Sequence, residues 1–139
     1  MLFKFTLSEV IMKKTYLFSL IILFGIYSAS AQKTEIKKDP LGKWLFEAPY
    51  APEGFTSGTI EVTFAEKKYN ASMAFTGSGY SLPGNKVKFE NDTLRFSIFI
   101  EEEDVAVILK FDDAIKMSGK AVYSQGEVPL LLTREIKKE

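Results

Sequence analysis

From Leu41 onward the chain alternates apolar and polar residues with a period of two, and keeps doing so almost to its end. Ile60, Val62 and Phe64 share one phase, against Thr59, Glu61 and Thr63 on the other. The pattern returns at Tyr69, Ala71, Met73 and Phe75, then at Val87 and Phe89, then at Leu94, Phe96, Ile98 and Ile100. It continues through Val105, Val107, Leu109 and Phe111, through Ile115, Met117, Gly119, Ala121 and Tyr123, and through Val128, Leu130 and Leu132. With Trp44-Leu45-Phe46 in front, this makes eight segments. A period of two sends successive side chains to opposite faces of a strand, whereas a helix requires a period near 3.6. The chain is therefore all-β, with eight strands that each present one apolar face.

Turn signals separate the strands. Asn91-Asp92 and Gln125-Gly126 read as two-residue hairpin turns. A turn at 91–92 sets Phe89 opposite Leu94 and Val87 opposite Phe96, and one at 125–126 sets Tyr123 opposite Val128 and Ala121 opposite Leu130. A three-residue loop at Asp112-Asp113-Ala114 aligns Phe111 with Ile115 and Leu109 with Met117. A two-residue turn inside Glu101–Asp104 places those two residues opposite one another and Phe99 opposite Ala106. In every hairpin the apolar phases meet on one face, which predicts an up-and-down antiparallel meander. Closing eight such strands into a barrel removes the unpaired edges. The polar phase carries Lys86, Lys88, Glu90, Arg95, Lys110, Lys116 and Lys120, charges that a lipid-facing wall does not tolerate. The apolar phase is therefore the interior.

The N-terminus reads as an address. Lys13-Lys14, an apolar run from Leu17 to Tyr27 and Ala29-Ser30-Ala31 have the order of a secretory signal peptide with cleavage after Ala31. Residues 12–31 are the expected signal, and 1–11 an upstream extension from an earlier start codon. The organisation that follows is a signal over 1–31, a polar flexible lead-in over 32–40 and a barrel domain over 41–139, in a periplasmic or secreted protein with no membrane span after cleavage. There is no Cys, so neither a disulfide nor a lipoprotein anchor holds it, and no His. Cys–His and Ser–His pairs and most zinc sites are thereby removed, and neither catalytic residues, metal nor cofactor are expected. The leader holds three of the 18 Lys and Arg but only one of the 18 Asp and Glu, which leaves the remainder slightly acidic. That balance does not suit nucleic acid.

Gly42-Lys43-Trp44 on the first strand and Arg134 on the last resemble the calycin superfamily of lipocalins, fatty-acid-binding proteins and avidins. The resemblance implies an eight-stranded barrel in which the Trp sits at the closed end and the Arg packs across its ring. Gly42, Trp44 and Arg134 would then be structural. The phase agrees, because Arg134 is in step with Val128, Leu130 and Leu132 and so points inward. Only about ten residues, Ala48 to Ser57, join the first two strands, too few for the helical lid of fatty-acid-binding proteins, and Trp44 is the sole Trp. The description that remains is a small secreted bacterial lipocalin-like protein.

Strand alternation places the turns at 66–67, 91–92 and 112–114 at the Trp44 end, and the connections Ala48–Ser57, Gly77–Asn85, Glu101–Asp104 and Gln125–Gly126 at the other. Both long connections fall at this second end, with Tyr50, Phe55, Tyr80 and Leu82 among Pro and Gly, as a rim would. Candidate interior contacts are Tyr69, Met73, Phe75, Phe96, Ile98, Val107, Met117 and Tyr123, with Ala71, Gly119 and Ala121 as the places where room could be left. Two readings stay open. One is a non-catalytic barrel that takes a small hydrophobic ligand through this mouth; the other is a solid barrel serving as a protein-interaction, accessory or inhibitor module. Phe99, Ile108, Val122 and Leu131, in the outward phase, form a candidate stripe for a homodimer or protein partner. Glu101-Glu102-Glu103-Asp104 reads as a solvated turn, lacking the spaced ligands and turn glycine of a calcium loop.

Overall fold

The computed structural model describes residues 37–137; residues 1–36, which include the expected signal over 1–31, and the last two residues lie outside the described residues. Nine strands follow in order: β1 Gly42–Glu47, β2 Ser57–Ala65, β3 Lys68–Phe75, β4 Ser81–Pro83, β5 Asn85–Glu90, β6 Thr93–Ile100, β7 Glu103–Asp113, β8 Lys116–Tyr123 and β9 Gly126–Arg134. They form one antiparallel sheet in the order β4-β3-β2-β1-β9-β8-β7-β6-β5, rolled into a nearly closed barrel. β1 pairs with both β2 and β9, so first and last strands are neighbours.

The ninth strand corrects the expected eight, and it arises because one stave is divided. The stretch expected as a loop over 77–85 instead runs as β4 along β3, with Leu82 opposite Met73. The chain then passes Gly84 and continues as β5 along β6. Gly84 lies where the stave changes partner, and its N–H donates to the Ala71 carbonyl at 2.7 Å. A Cβ there would come within 2.9 Å of that carbonyl oxygen and 3.1 Å of the Phe96 ring, so only glycine fits without displacement. Next comes a bulge, with Lys86 at φ 53° and a register shift between Asn85 and Lys88. Val87 is therefore not paired with Phe96 as expected, although Phe89 does face Leu94.

Three other registers differ from the expected ones, each by two residues. Ser124-Gln125 forms the last turn, which puts Tyr123 opposite Gly126 and Ala121 opposite Val128. Phe111 faces Met117, not Ile115, and the turn falls at Ala114-Ile115. Asp113 Oδ1 fixes it by accepting the Ile115 N–H at 2.9 Å. Ile100 faces Glu103, so Phe99 faces Asp104 and the turn residues are Glu101 and Glu102. A two-residue slip keeps every side chain on its own face, and apolar alternation is blind to it. Turn chemistry decides instead. Glu66-Lys67, Asn91-Asp92 and Glu101-Glu102 all have φ between 48° and 69° at both central positions, as a type I′ hairpin turn requires.

The interior is apolar, and among the described residues no polar or charged side chain is fully buried. Two members of the expected inward set escape it. Phe64 is 54% exposed beyond the rim, its edge on Tyr69, and Ile115 is exposed in its turn. At Gly119 a Cβ would run into the Ile108 carbonyl of β7, so the glycine serves close strand packing there.

Trp44 and Arg134 meet at one end of the barrel. Trp44 is fully buried, and its Nε1–H donates to the Pro40 carbonyl at 2.9 Å. The Arg134 guanidinium lies over the indole, with Cζ 4.3 Å from the ring centroid. Its Nη1 donates to the Leu41 carbonyl at 2.7 Å, Nε to Ala114 at 3.2 Å, and Nη2 to Asp39. These carbonyls have no strand partner to accept from, and a half-buried cation needs such acceptors. Gly42 has φ +120°, and a Cβ on it would approach Arg134 Nη1 to 3.3 Å, so the glycine of Gly-x-Trp makes room for the arginine. Pro40 is buried, and Asp39 accepts the Leu41 N–H, so the end of the lead-in packs beneath the barrel.

Three substitutions should change stability in a stated direction. Trp44→Ala should lower unfolding free energy by about 3–5 kcal/mol and Gly42→Ala by about 1–3 kcal/mol. Denaturation followed by far-ultraviolet circular dichroism is the measurement, since Trp44 is the only indole. Replacing Glu101-Glu102 by Asn-Gly should stabilise the protein by about 1 kcal/mol, because both residues occupy the left-handed region and repel one another.

Candidate functional site

The open half of the barrel is hollow. A cavity of about 350 Å³ lies between the sheet walls and opens at the end opposite Trp44. Phe46, Met73, Phe75, Ile98, Val107 and Leu130 supply its large apolar walls, and Ala48, Ala121 and Val128 leave the space. This volume is at the lower end of the range for small-molecule pockets. The solid-barrel reading of the interior is corrected at this end, and the reason is residue size. Aromatic rings chain edge to face along the closed half, from Trp44 through Phe111, Phe89 and Tyr69 to Phe64. The open half carries rings too, at Phe46, Phe55 and Phe75, but Ala48, Ala121 and Val128 leave space between its walls.

The connection between β1 and β2 folds over the mouth. Ala48 N–H donates to the Thr56 carbonyl at 2.7 Å, pinching its ends together, and Phe55 N–H donates to Pro52 at 3.0 Å. Ala51, Pro52 and Phe55 consequently turn toward the cavity. Phe55 stacks edge to face on Phe75 with centroids 4.9 Å apart, and Phe75 in turn meets Phe46 at 5.8 Å. The next connection is tied alongside, by Thr76 N–H to the Ser57 carbonyl and a 2.9 Å contact between the two hydroxyls.

Six of the twelve candidate residues converge on this cavity: Phe55, Met73, Phe75, Ile98, Val107 and Tyr123. The others do not. Tyr50 and Tyr80 are 78% and 63% exposed, and neither ring lines the cavity. Tyr69 belongs to the closed-end aromatic chain. Phe96 packs against Gly84 at the divided stave, Leu82 lies in β4 beside it, and Met117 faces Phe111 and Leu132 in the closed half. Of the wall residues that were not anticipated, Phe46, Ile100, Val105, Val128 and Leu130 all lie in the inward phase, so only their depth along the barrel was missing from the reading. Ala48, Ala51 and Pro52 follow from the folding of the loop, for which periodicity offers no signal.

Polar atoms gather only at the rim, from Glu101, Glu103, Tyr123, Ser124 and Gln125. Ser124 donates both its N–H, at 3.2 Å, and its hydroxyl, at 2.6 Å, to the Glu103 carboxylate, which fastens the last turn to the start of β7. The connections at this end, residues 48–56, 76–80, 101–102 and 124–125, contain Glu53, Glu101 and Glu102 and neither Lys nor Arg. Among the described residues no group of three or more His, Cys, Asp or Glu is placed to hold a metal ion, and no helix is long and apolar enough to cross a membrane.

The outer stripe is not continuous. Ile108 has Arg95 and Lys120 as its cross-strand neighbours, Val122 has Ala106 and Glu127, and Leu131 has Ser118 and Glu47. Phe99 is 57% exposed but faces Asp104. The two-residue shift of the β6–β7 hairpin is what separates it from the others.

No protein-family model matches the chain, and no curated protein does. Among solved structures it is similar to a redesigned β-barrel, at a TM-score of 0.52 and 19% sequence identity, over 69% of this chain and 91% of that one. This likeness supports the barrel and extends to the fold alone.

Proposed function

We propose that this is an exported, non-catalytic, calycin-like barrel that binds a small hydrophobic molecule in the cavity of its open half. The carrying observation is the cavity itself, about 350 Å³ of space with apolar walls and an opening to solvent. Ordinary interiors are packed nearly without voids, so a space of this size in a domain of about a hundred residues calls for an occupant. Binding works by removing ligand surface from water against Phe46, Met73, Phe75, Ile98 and Val107. The loop bearing Phe55 narrows the entrance.

The polar rim supports a non-catalytic reading. Ser124 is the one rim hydroxyl with a carboxylate beside it, and it donates there together with its own backbone N–H, as a structural clasp does. Export rests on the signal-like order of residues 12–31, and the Gly42–Trp44–Arg134 cap supports the calycin comparison. The interaction-module reading has less support, since charges break up the outer stripe.

Each methylene withdrawn from water contributes about 0.8 kcal/mol, so an eight-carbon chain gains about 6 kcal/mol before the cost of association. Affinities in the micromolar to millimolar range are therefore expected for simple chains. The neutral dye N-phenyl-1-naphthylamine should brighten on binding. Ala121→Phe, which places a ring in the cavity, should weaken that binding at least about tenfold while leaving the circular dichroism spectrum unchanged. Absence of any enhancement with the wild-type protein would sink the proposal.

A further inference from the structure

We propose that the cavity selects apolar molecules that carry a protonated nitrogen, such as alkylamines, over fatty acids and neutral analogues. This rests on the ligand-binding reading above and adds the charge of the ligand. The wall offers nothing to a head group until the rim, where the ionisable side chains are Glu101, Glu103 and Tyr123. Among the described residues no Lys or Arg lines the cavity. The ion pairs found among those residues are Lys38–Asp92, Lys43–Glu135 and Lys120–Glu127, none of which involves a rim carboxylate.

The two rim carboxylates differ in what they have left to offer. Glu103 already accepts both Ser124 donors, whereas Glu101 makes no side-chain hydrogen bond or ion pair among the described residues. Glu53 and Glu102, on the connections around the mouth, add charge of the same sign. An apolar cavity with one sign of charge around its entrance concentrates the field there. A ligand with its chain in the barrel places its head group in that field. A carboxylate head meets like charges and finds no cation, an alcohol gains only hydrogen bonds, and an ammonium is attracted. The Phe55 ring lines the same cavity, and aromatic rings attract cations.

The test uses three probes with one chain length, octylamine, octanol and octanoate, titrated calorimetrically into the purified protein at pH 7 and low salt. The heads carry charges of about +1, 0 and −1 under these conditions. Octylamine should bind at least about fivefold tighter than octanol, octanoate should bind weakest, and added salt should compress the series. Glu101→Gln should reduce the preference for octylamine over octanol about two- to fivefold. Octanol binding with no preference for octylamine, or octanoate binding as tightly as octylamine, overturns the charge selection and leaves the binding reading standing. Failure of all three probes overturns both.

Discussion

A single guanidinium holds the barrel together at one end. Arg134 lies on the Trp44 indole and reaches the carbonyls of Asp39, Leu41 and Ala114. Those contacts join the segment before the first strand, the first strand itself, the last strand and the β7–β8 hairpin. A cation withdrawn from water is unfavourable unless its donors are satisfied, and strand-end carbonyls are unfavourable unless something donates to them. Each deficit is relieved by the other. The absence of a side chain on Gly42 is the steric condition for the arrangement.

The location of the cavity follows from this cap. The aromatic chain from Trp44 through Phe111 and Phe89 to Tyr69 fills the lower half with rings meeting edge to face, and Met117 and Leu132 occupy the remaining volume there. The upper half has Ala48, Ala121 and Val128 in corresponding inward positions. The barrel is thus filled beneath and hollow above. The loop that carries Phe55 reduces the opening without closing it.

Much of the architecture could be read from the chain because its strongest signals are periodic. The period of two assigned the faces of most strand residues correctly, and Gly42, Trp44 and Arg134 marked the closed end. Periodicity does not distinguish registers two residues apart, so Gly126 reads as a turn residue although it begins β9, and Ile115 as a wall residue although it lies in a turn. Nor does it carry information about loops. Tyr50 and Phe55 looked equivalent by composition, yet backbone hydrogen bonds turn Phe55 inward and leave Tyr50 in solvent. Depth was likewise hidden: Met73 and Met117 share the inward phase, but one lines the cavity and the other lies in the filled half.

The divided stave at Gly84 has a mechanical consequence. Elsewhere around the wall, neighbouring strands are laced by hydrogen-bonded ladders, interrupted only by bulges, so altering the girth of the barrel means breaking several hydrogen bonds together. Between β3 and β5 there is no ladder. The Gly84-to-Ala71 hydrogen bond stands at the point where the lacing stops. The circumference therefore has a slit at one place, like the split in a collet, and expansion of the wall would concentrate there while the Arg134 cap holds the base closed.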